Sequence, residues 1–213
     1  MIQAAIDYGL DGLAFTDHHF LVPPGQLAEL NQKYTPFRIF AGIEITFREA
    51  QEDVLVLGIQ DARLETTEWR SYPELWRFVR ERGGFLALAH PYRYHPTVNI
   101  DVWQYPPDAI ELHTIHVPLR NERMVRALGD QLDVALFCNS DAHHAQDVGI
   151  YYNEVTPAAA AERDVLDAIR GRDFLCRGRS QRIEARNEDV AEPSRRLVQP
   201  RAAAVIDSGT RGQ

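Results

Sequence analysis

The chain alternates between short apolar runs and amphipathic segments. The run FLALAH at 85–90 is continuously apolar, which is typical of a strand covered on both faces. Further strands are predicted at 11–16, 37–47, 53–59, 108–113, 133–140 and 173–176. Helices are predicted at 2–9, about 25–33, from 71 to the glycine pair at 83–84, about 118–129 and about 161–171. Strands separated by helices indicate parallel βαβ units and an α/β fold.

This pattern stops near residue 181. The segment 181–213 contains no aromatic residue and has little hydrophobic periodicity. Such a composition cannot bury enough apolar surface to offset the entropy of ordering the chain. We therefore expect one folded domain at 1–180, followed by a disordered C-terminal tail at 181–213.

The composition and charge of the chain make some kinds of function less plausible. The 213 residues carry a net charge of −8, which argues against broad nucleic-acid binding through phosphate neutralisation. No apolar run approaches the roughly 20 residues that a membrane-spanning helix needs. The two cysteines, Cys138 and Cys176, lie far apart and form no CxxC pair. They are predicted to be reduced thiols in a cytoplasmic protein.

Residues that can bind metal follow the predicted strands. Five strand ends carry them: Asp17 and His18, Glu44, His90, Glu111 and His113, and Asp141 and His143. Because the C-terminal ends of parallel strands meet at one face of a sheet or barrel, these side chains are expected to converge. Clustered carboxylates repel one another, and a divalent cation such as Zn²⁺, Mn²⁺ or Fe²⁺ relieves that repulsion.

Each residue alone also has an ordinary structural explanation. Asp17 could be the N-cap of a following helix. A single histidine is more often a hydrogen-bonding group than a ligand. Arg93 is suited to binding a phosphate through two hydrogen bonds, but it could equally be an exposed surface arginine. Only the joint pattern favours a metal site.

The ordered motifs FTDHH, AGIEIT, LAHPYR, AIELHT and NSDAHH resemble those of the PHP (polymerase and histidinol phosphatase) family. The matching segments extend over about residues 1–155. The resemblance implies a distorted (β/α)₇ TIM-like barrel with two or three metal ions, commonly Zn, Mn or Fe. It also implies hydrolysis of phosphoesters such as histidinol phosphate, nucleotides or short nucleic acids.

Where a motif of this chain matches a family motif, the resemblance implies a role for each matching residue. The metal ligands implied are His18, Glu44, His90, Asp141 and His143, with His113 as a weaker one. Asp17 is implied to orient His18, and Glu111 is assigned with it to the surroundings of the ligands. A free histidine, His116 or His144, would donate a proton to the leaving group, and Arg93 would bind substrate. We expect a small phosphorylated substrate, or at most a short oligonucleotide.

Two departures from the family pattern affect this expectation. The first strand of the family, with its His-x-His pair, has no counterpart, because this sequence opens within a predicted helix. Leu55 stands where many relatives have a histidine in an HxLG motif. We therefore expect an N-terminally truncated barrel, one absent metal position and impaired activity.

Two other functions remain open. Amidohydrolase barrels also place His and Asp at strand ends, although a bridging lysine has no good candidate here, since Lys33 is the only lysine. The chain could also be a non-catalytic remnant that serves as a binding module, although five retained ligand positions argue against this.

Overall fold

The computed structural model describes residues 1–65, 69, 71–155 and 161–179. The strands are β1 (Gly12–Phe15), β2 (Arg38–Phe47), β3 (Glu52–Leu57), β4 (Phe85–Leu88), β5 (Ala109–His113), β6 (Ala135–Cys138), β7 (Tyr151–Val155) and β8 (Phe174–Gly178). The α-helices are α1 (Ile2–Asp7), α2 (Pro24–Tyr34), α3 (Tyr72–Glu81), α4 (Glu122–Leu132) and α5 (Glu162–Gly171). The predicted tail at 181–213 lies outside the described residues.

The strands β1 to β6 form one sheet in chain order, and β7 and β8 form an antiparallel pair. The larger sheet curls into a half-barrel, which confirms the α/β class and the barrel-like architecture in coarse form. Within the described residues, β1 and β6 are each paired in this sheet on one side only. The predicted absence of a first barrel strand stays a prediction.

Strict alternation of strands and helices is wrong at three places, since among the described residues no α-helix lies between β2 and β3, between β4 and β5 or between β6 and β7. β2 and β3 form an antiparallel hairpin, and β3 is also antiparallel to β4. The turn at 48–51 is too short for a helical crossover, which needs a dozen or more residues. As a result, the beginning of β3, not its end, lies at the face where β2 and β4 end. This reversal matters for the site.

Successive side chains along the central strands lie on opposite faces of the sheet and pack in two separate clusters. Ile43, Ile45, Val54 and Val56 pack in a large cluster with residues of α3 and α4. Leu55 and its neighbours on the opposite face pack in a second cluster with α5. Every residue of β3 and β4 is buried, as expected for strands covered on both faces.

The cysteine prediction is wrong. Cys138, at the end of β6, forms a disulfide with Cys176 in β8. Their separation of 38 residues gave no sign of pairing, because β7 was not predicted from the polar sequence YYNEV. The β7–β8 hairpin brings the second cysteine against β6. Among the described helices, none is long and apolar enough to cross a membrane.

Asp108 joins three elements just before β5. Its Oδ1 accepts hydrogen bonds from Arg80 on α3 at 2.6 Å and from Arg170 on α5 at 3.0 Å. Its Oδ2 accepts the backbone N–H of Leu86 at 2.8 Å. The carboxylate is almost fully buried, so both oxygens depend on these donors.

We predict that Asp108→Ala destabilises the fold by about 3 kcal/mol, because it leaves two arginines and a backbone N–H without their acceptor. Urea unfolding measures the effect. Glu154→Ala is the matched control, since Glu154 pairs with Arg177 at an exposed site and should change stability by less than about 1 kcal/mol. Equal losses in the two variants would contradict the prediction.

Candidate metal centre

Six of the predicted site residues line one cleft. Its volume is about 380 Å³. The lining residues are His18, Glu44, Thr46, Arg48, Gln51, Asp53, His90, Arg93, Tyr94, Asp141 and His143. The structure thus brings together the ends of β2 and β4, the beginning of β3, and the loops that follow β1, β4 and β6.

The deepest part of the cleft is a pair between His90 and Glu44. The Nε2 atom of His90 lies 3.0 Å from Oε1 of Glu44 and 3.6 Å from Oδ2 of Asp53. All three side chains are buried. One imidazole therefore faces two carboxylates out of contact with bulk water.

His18 lies beside this pair but is half exposed. Its Nε2 is 3.7 Å from Oε2 of Glu44, and its Nδ1 is 3.2 Å from the hydroxyl of Thr46. Asp17 was expected to orient this ring. Its backbone carbonyl instead accepts the N–H of Glu44, and among the described contacts Thr46 holds the ring. The role of Asp17 in orienting His18 stays a prediction.

Sequence reasoning missed Asp53. It stands near the beginning of β3, so it was not among residues that follow a strand. The antiparallel direction of β3 brings this beginning to the site. Its Oδ1 is buried and has no hydrogen-bond partner. The short segment between β2 and β3 was the feature of the sequence that could have indicated the reversed direction of β3.

A second group forms around Asp141. Its Oδ2 lies 3.5 Å from Nε2 of His116, and its Oδ1 lies 3.8 Å from Nδ1 of His143. The rings of these two histidines meet edge to face, with centroids 5.2 Å apart. Asp141 has a φ of 48°, in the left-handed region that Asp tolerates better than most residues. His116, expected to be a free proton donor, is thus part of a ligand-type group.

Glu111 connects the two halves of the site. Its Oε2 accepts the backbone N–H of His90 at 2.7 Å, and its Oε1 accepts the side-chain amide of Asn139 at 2.7 Å. It therefore ties the end of β4 to the end of β6. Glu111 was predicted to lie around the ligands. In the structure it accepts hydrogen bonds from a backbone N–H and a side-chain amide, and not from an imidazole ring.

Five predicted residues lie outside the cleft lining: Asp17, Glu111, His113, His116 and His144. The ring of His113 stacks on Tyr151, and its Nε2 lies 3.9 Å from Glu122 on α4. Burial lowers the pKa of His113. A bulge in β5 between Glu111 and His113 breaks the alternation that the sequence suggested. His144 is exposed and precedes a short 3₁₀ helix at Ala145–Asp147.

Two arginines supply positive charge at the cleft. Arg93 lines it as predicted, with its guanidinium 5.0 Å from the ring centroid of Tyr94. Arg48, which the sequence reasoning did not single out, lines the same cleft from the β2–β3 turn. Among the described residues, neither has a carboxylate partner within 4.0 Å. Both are available to an anionic ligand.

Burial and neighbouring charges shift the pKa values of His90, Glu111 and Glu52. Burial alone would lower the pKa of His90, but its hydrogen bond to Glu44 and the charges of Glu111, Glu44 and Asp53 raise it to about 9. Burial raises the pKa of Glu111 to about 7, and that of Glu52 to about 7. Protonation thus relieves carboxylate repulsion in the absence of a metal.

The residues fit a divalent cation. Two groups, His18–Glu44–Asp53 and His116–Asp141–His143, each offer ligand atoms within 4.8 Å of one another. One carboxylate oxygen in each group, Oδ1 of Asp53 and Oδ2 of Asp141, is buried without a hydrogen bond. Nitrogen and carboxylate donors suit Zn²⁺, Mn²⁺ or Fe²⁺.

Comparison with known proteins confirms the family resemblance. The family model described as PHP-associated matches residues 120–174. This region includes α4, β6 and the segment with Asp141 and His143, and it ends at the start of β8. No curated protein matches the sequence significantly.

Solved structures share the fold at low identity. PsfC from Pseudomonas syringae is 18% identical with a TM-score of 0.63, and the match covers 91% of this chain and 87% of that one. A two-domain protein from Bacteroides vulgatus, containing a predicted PHP-like metal-dependent phosphoesterase, is 14% identical with a TM-score of 0.64 over 88% and 64% of the chains. An amidohydrolase from Chromobacterium violaceum, with bound sulfate and no metal, is 15% identical with a TM-score of 0.53 over 82% and 90%.

We predict that the metal-free protein loses stability as pH rises from about 5 to about 9. The folded-state pKa values of His90, Glu111 and Glu52 lie above their ordinary values of 6.5, 4.5 and 4.5. Folding therefore takes up protons, and its stabilisation is present at low pH and lost as pH rises through 7 and 9. The expected loss is at least about 2 kcal/mol by urea unfolding of chelator-treated protein.

His90→Gln should flatten this pH dependence, because it removes the group with the highest shifted value. Saturating Mn²⁺ should do the same by replacing protons as the counter-charge. Stability that rises across the interval would contradict the pKa assignments.

We also predict that Asp53→Asn and Asp141→Asn each weaken Mn²⁺ binding by about tenfold or more, because each removes a charged ligand atom. Titration calorimetry and elemental analysis of the purified protein measure affinity and stoichiometry. His113→Ala and His144→Ala are matched controls outside the cleft lining, and we expect their affinities to stay within about threefold of the unmodified protein. Loss of metal in the controls but not in the Asp variants would reject this ligand set.

Proposed function

We propose that the protein is a metal-dependent phosphoesterase that hydrolyses a small phosphate monoester or a nucleotide phosphoester. The observation that carries this proposal is that one cleft is lined by the whole first ligand group, by Asp141 and His143 of the second, and by two arginines that have no carboxylate partner among the described residues. Metal ligands alone fit many hydrolases. Arginines beside them add recognition of an anionic, tetrahedral group.

In this proposal the cations are held by His18, Glu44 and Asp53 on one side and by His116, Asp141 and His143 on the other. His90 lies close enough to Glu44 and Asp53 to join the first group. When bound, such cations lower the pKa of water and stabilise the charge of attacking and leaving oxygens. With both cysteines in a disulfide, the cleft offers only nitrogen and oxygen donors, and the ions expected are Zn, Mn or Fe.

The chain's own residues bind and orient the substrate. Arg93 and Arg48 would each donate hydrogen bonds to non-bridging phosphate oxygens. The exposed ring of Tyr94 provides an apolar contact for the rest of the ester. His116, which the sequence predicted as a proton donor to the leaving group, is assigned here to the second ligand group, and a metal-bound histidine is a poor acid.

The fold leaves the choice between phosphoester and amide chemistry open, since solved structures of both classes share it. The two arginines favour the phosphoester. A lysine that bridges two metals has no candidate here, because Lys33 lies on α2 and contacts the ring of Tyr34.

The size and charge of the cleft favour a small substrate. About 380 Å³ is at the low end of the range for small-molecule sites. The net charge of −8 disfavours long nucleic acids, so a nucleic-acid substrate would be a short oligonucleotide.

We predict that the Mn²⁺-loaded protein binds inorganic phosphate and hydrolyses at least one phosphate monoester from a panel of sugar, amino-alcohol and nucleoside phosphates. Arg93→Ala should weaken phosphate binding by about tenfold, because a charged hydrogen bond contributes about 1.5 kcal/mol. Phosphate affinity is measured by calorimetry, and turnover by phosphate release.

Arg163→Ala is the matched control, since Arg163 is 90% exposed on α5 and should leave both readouts unchanged. Phosphate affinity remains informative even if turnover is slow. A protein that binds Mn²⁺ but neither binds phosphate nor hydrolyses any ester would reject the proposal. Hydrolysis of amides by such a protein would instead favour amidohydrolase chemistry.

A further inference from the structure

We propose that the Cys138–Cys176 disulfide is a redox switch that controls metal binding at the cleft. This inference rests on the proposed function, because it concerns regulation of the same site. Cys138 is the last residue of β6. Asp141 and His143 follow it after a gap of only two residues. The disulfide therefore fastens the strand that presents one of the two ligand groups.

A continuous set of contacts leads from the disulfide to the other group. Asn139 directly follows Cys138, and its backbone N–H donates to the carbonyl of His113 at 3.0 Å. Its side-chain amide donates to Oε1 of Glu111, whose Oε2 accepts the backbone N–H of His90. A displacement at the end of β6 would therefore reach His90 through two hydrogen bonds.

The other sulfur belongs to the β7–β8 hairpin, which supports the loop after β6. The Asn153 side chain accepts the N–H of Cys138 at 2.9 Å and donates to its carbonyl at 2.7 Å. The hydroxyl of Ser140 donates to the carbonyl of Tyr151 at 2.9 Å. Each of these hydrogen bonds adds little net stability, and among the described residues the disulfide is the only covalent cross-link between the hairpin and the strand.

The two sulfurs differ in access. Cys138 is 1% exposed. Cys176 is only partly buried and lines a surface cavity of about 400 Å³. The cavity is also lined by Gly129, Asp130, Asp133, Val134, Leu136, Arg172, Phe174 and Leu175. Cys176 is therefore the cysteine at which we expect an attacking thiolate to arrive.

The chemistry is thiol–disulfide exchange with a cellular dithiol. A thiolate of the dithiol attacks Sγ of Cys176, the Sγ–Sγ bond breaks, and Cys138 leaves as a thiolate that takes up a proton. The second thiol of the reductant then attacks the mixed disulfide and releases Cys176. The protein disulfide gains two electrons and two protons, and the dithiol becomes a disulfide.

The exchange requires a compartment that supplies a dithiol reductant. In such a compartment, protein disulfides are commonly catalytic or redox-sensing. In the reduced form, the loop after β6 would be held by hydrogen bonds alone. The ligand atoms of Asp141 and His143 would then be less well ordered for a cation. Reduction should weaken metal binding, and oxidation should restore it.

The test compares oxidised and reduced full-length protein. The protein is reduced with a phosphine, which is then removed under anaerobic conditions. Mn²⁺ is the probe, because the freed thiols would bind Zn²⁺ themselves. We expect the Kd for Mn²⁺ to rise about tenfold on reduction and to return on reoxidation. In metal-free protein, hydrogen exchange of the 139–143 backbone should accelerate on reduction, while circular dichroism stays unchanged.

Cys176→Ser should resemble the reduced form and ignore the reductant. Leu175→Ser is the matched control, since Leu175 is an exposed neighbour in β8 and should keep the redox response. Equal Kd values and equal exchange rates in both redox states would overturn the switch. Two free thiols in protein prepared without reductant would also overturn it. If neither form binds Mn²⁺ but exchange still responds to reduction, the proposed function fails and the redox-sensitive loop stands.

Discussion

Burial of several carboxylates around one imidazole is the constraint on which the site depends. Glu44, Asp53 and Glu111 are all buried close to His90, and such a set is unstable without added positive charge. Protons supply that charge in the metal-free protein: neighbouring carboxylates raise the pKa of His90 against the effect of burial, and burial raises the pKa of Glu111. A divalent cation would supply it at neutral pH. Stability, metal binding and pH dependence are thus three expressions of the same electrostatic balance.

Hydrophobic periodicity predicted most of the fold. All five α-helices and seven of the eight described strands lie where the apolar pattern indicated, because burial of one stripe or face is a local property of sequence. The direction of β3 could not be read in this way. An apolar strand looks the same in either direction, and only the four-residue turn at 48–51 carries the information. β7 was missed because its polar side chains are half exposed.

The same contrast, between what local sequence indicates and what strand direction decides, applies to the candidate site. Residues after strands that run in the expected direction, such as His18, Glu44, His90 and Asp141, do line the cleft or its floor. Asp53 was overlooked because β3 is reversed. His113 lies outside the cleft lining, next to a bulge in β5, with its ring stacked on Tyr151. Both differences come from assuming regular strands, and neither concerns which residue types suit a metal.

The β2–β3 hairpin carries or supports several of the residues that line the cleft. Its turn carries Arg48, and the strand that follows carries Asp53. The same hairpin holds the loop after β4, since Glu52 accepts the backbone N–H of Asn99 at 2.9 Å and Gln51 hydrogen-bonds His95. That loop carries Arg93. A single reversed strand therefore fixes a ligand for the cation and the positions of both arginines that face an anion. In the proposed function, this departure from regular barrel alternation would allow one short turn to couple metal binding to substrate recognition.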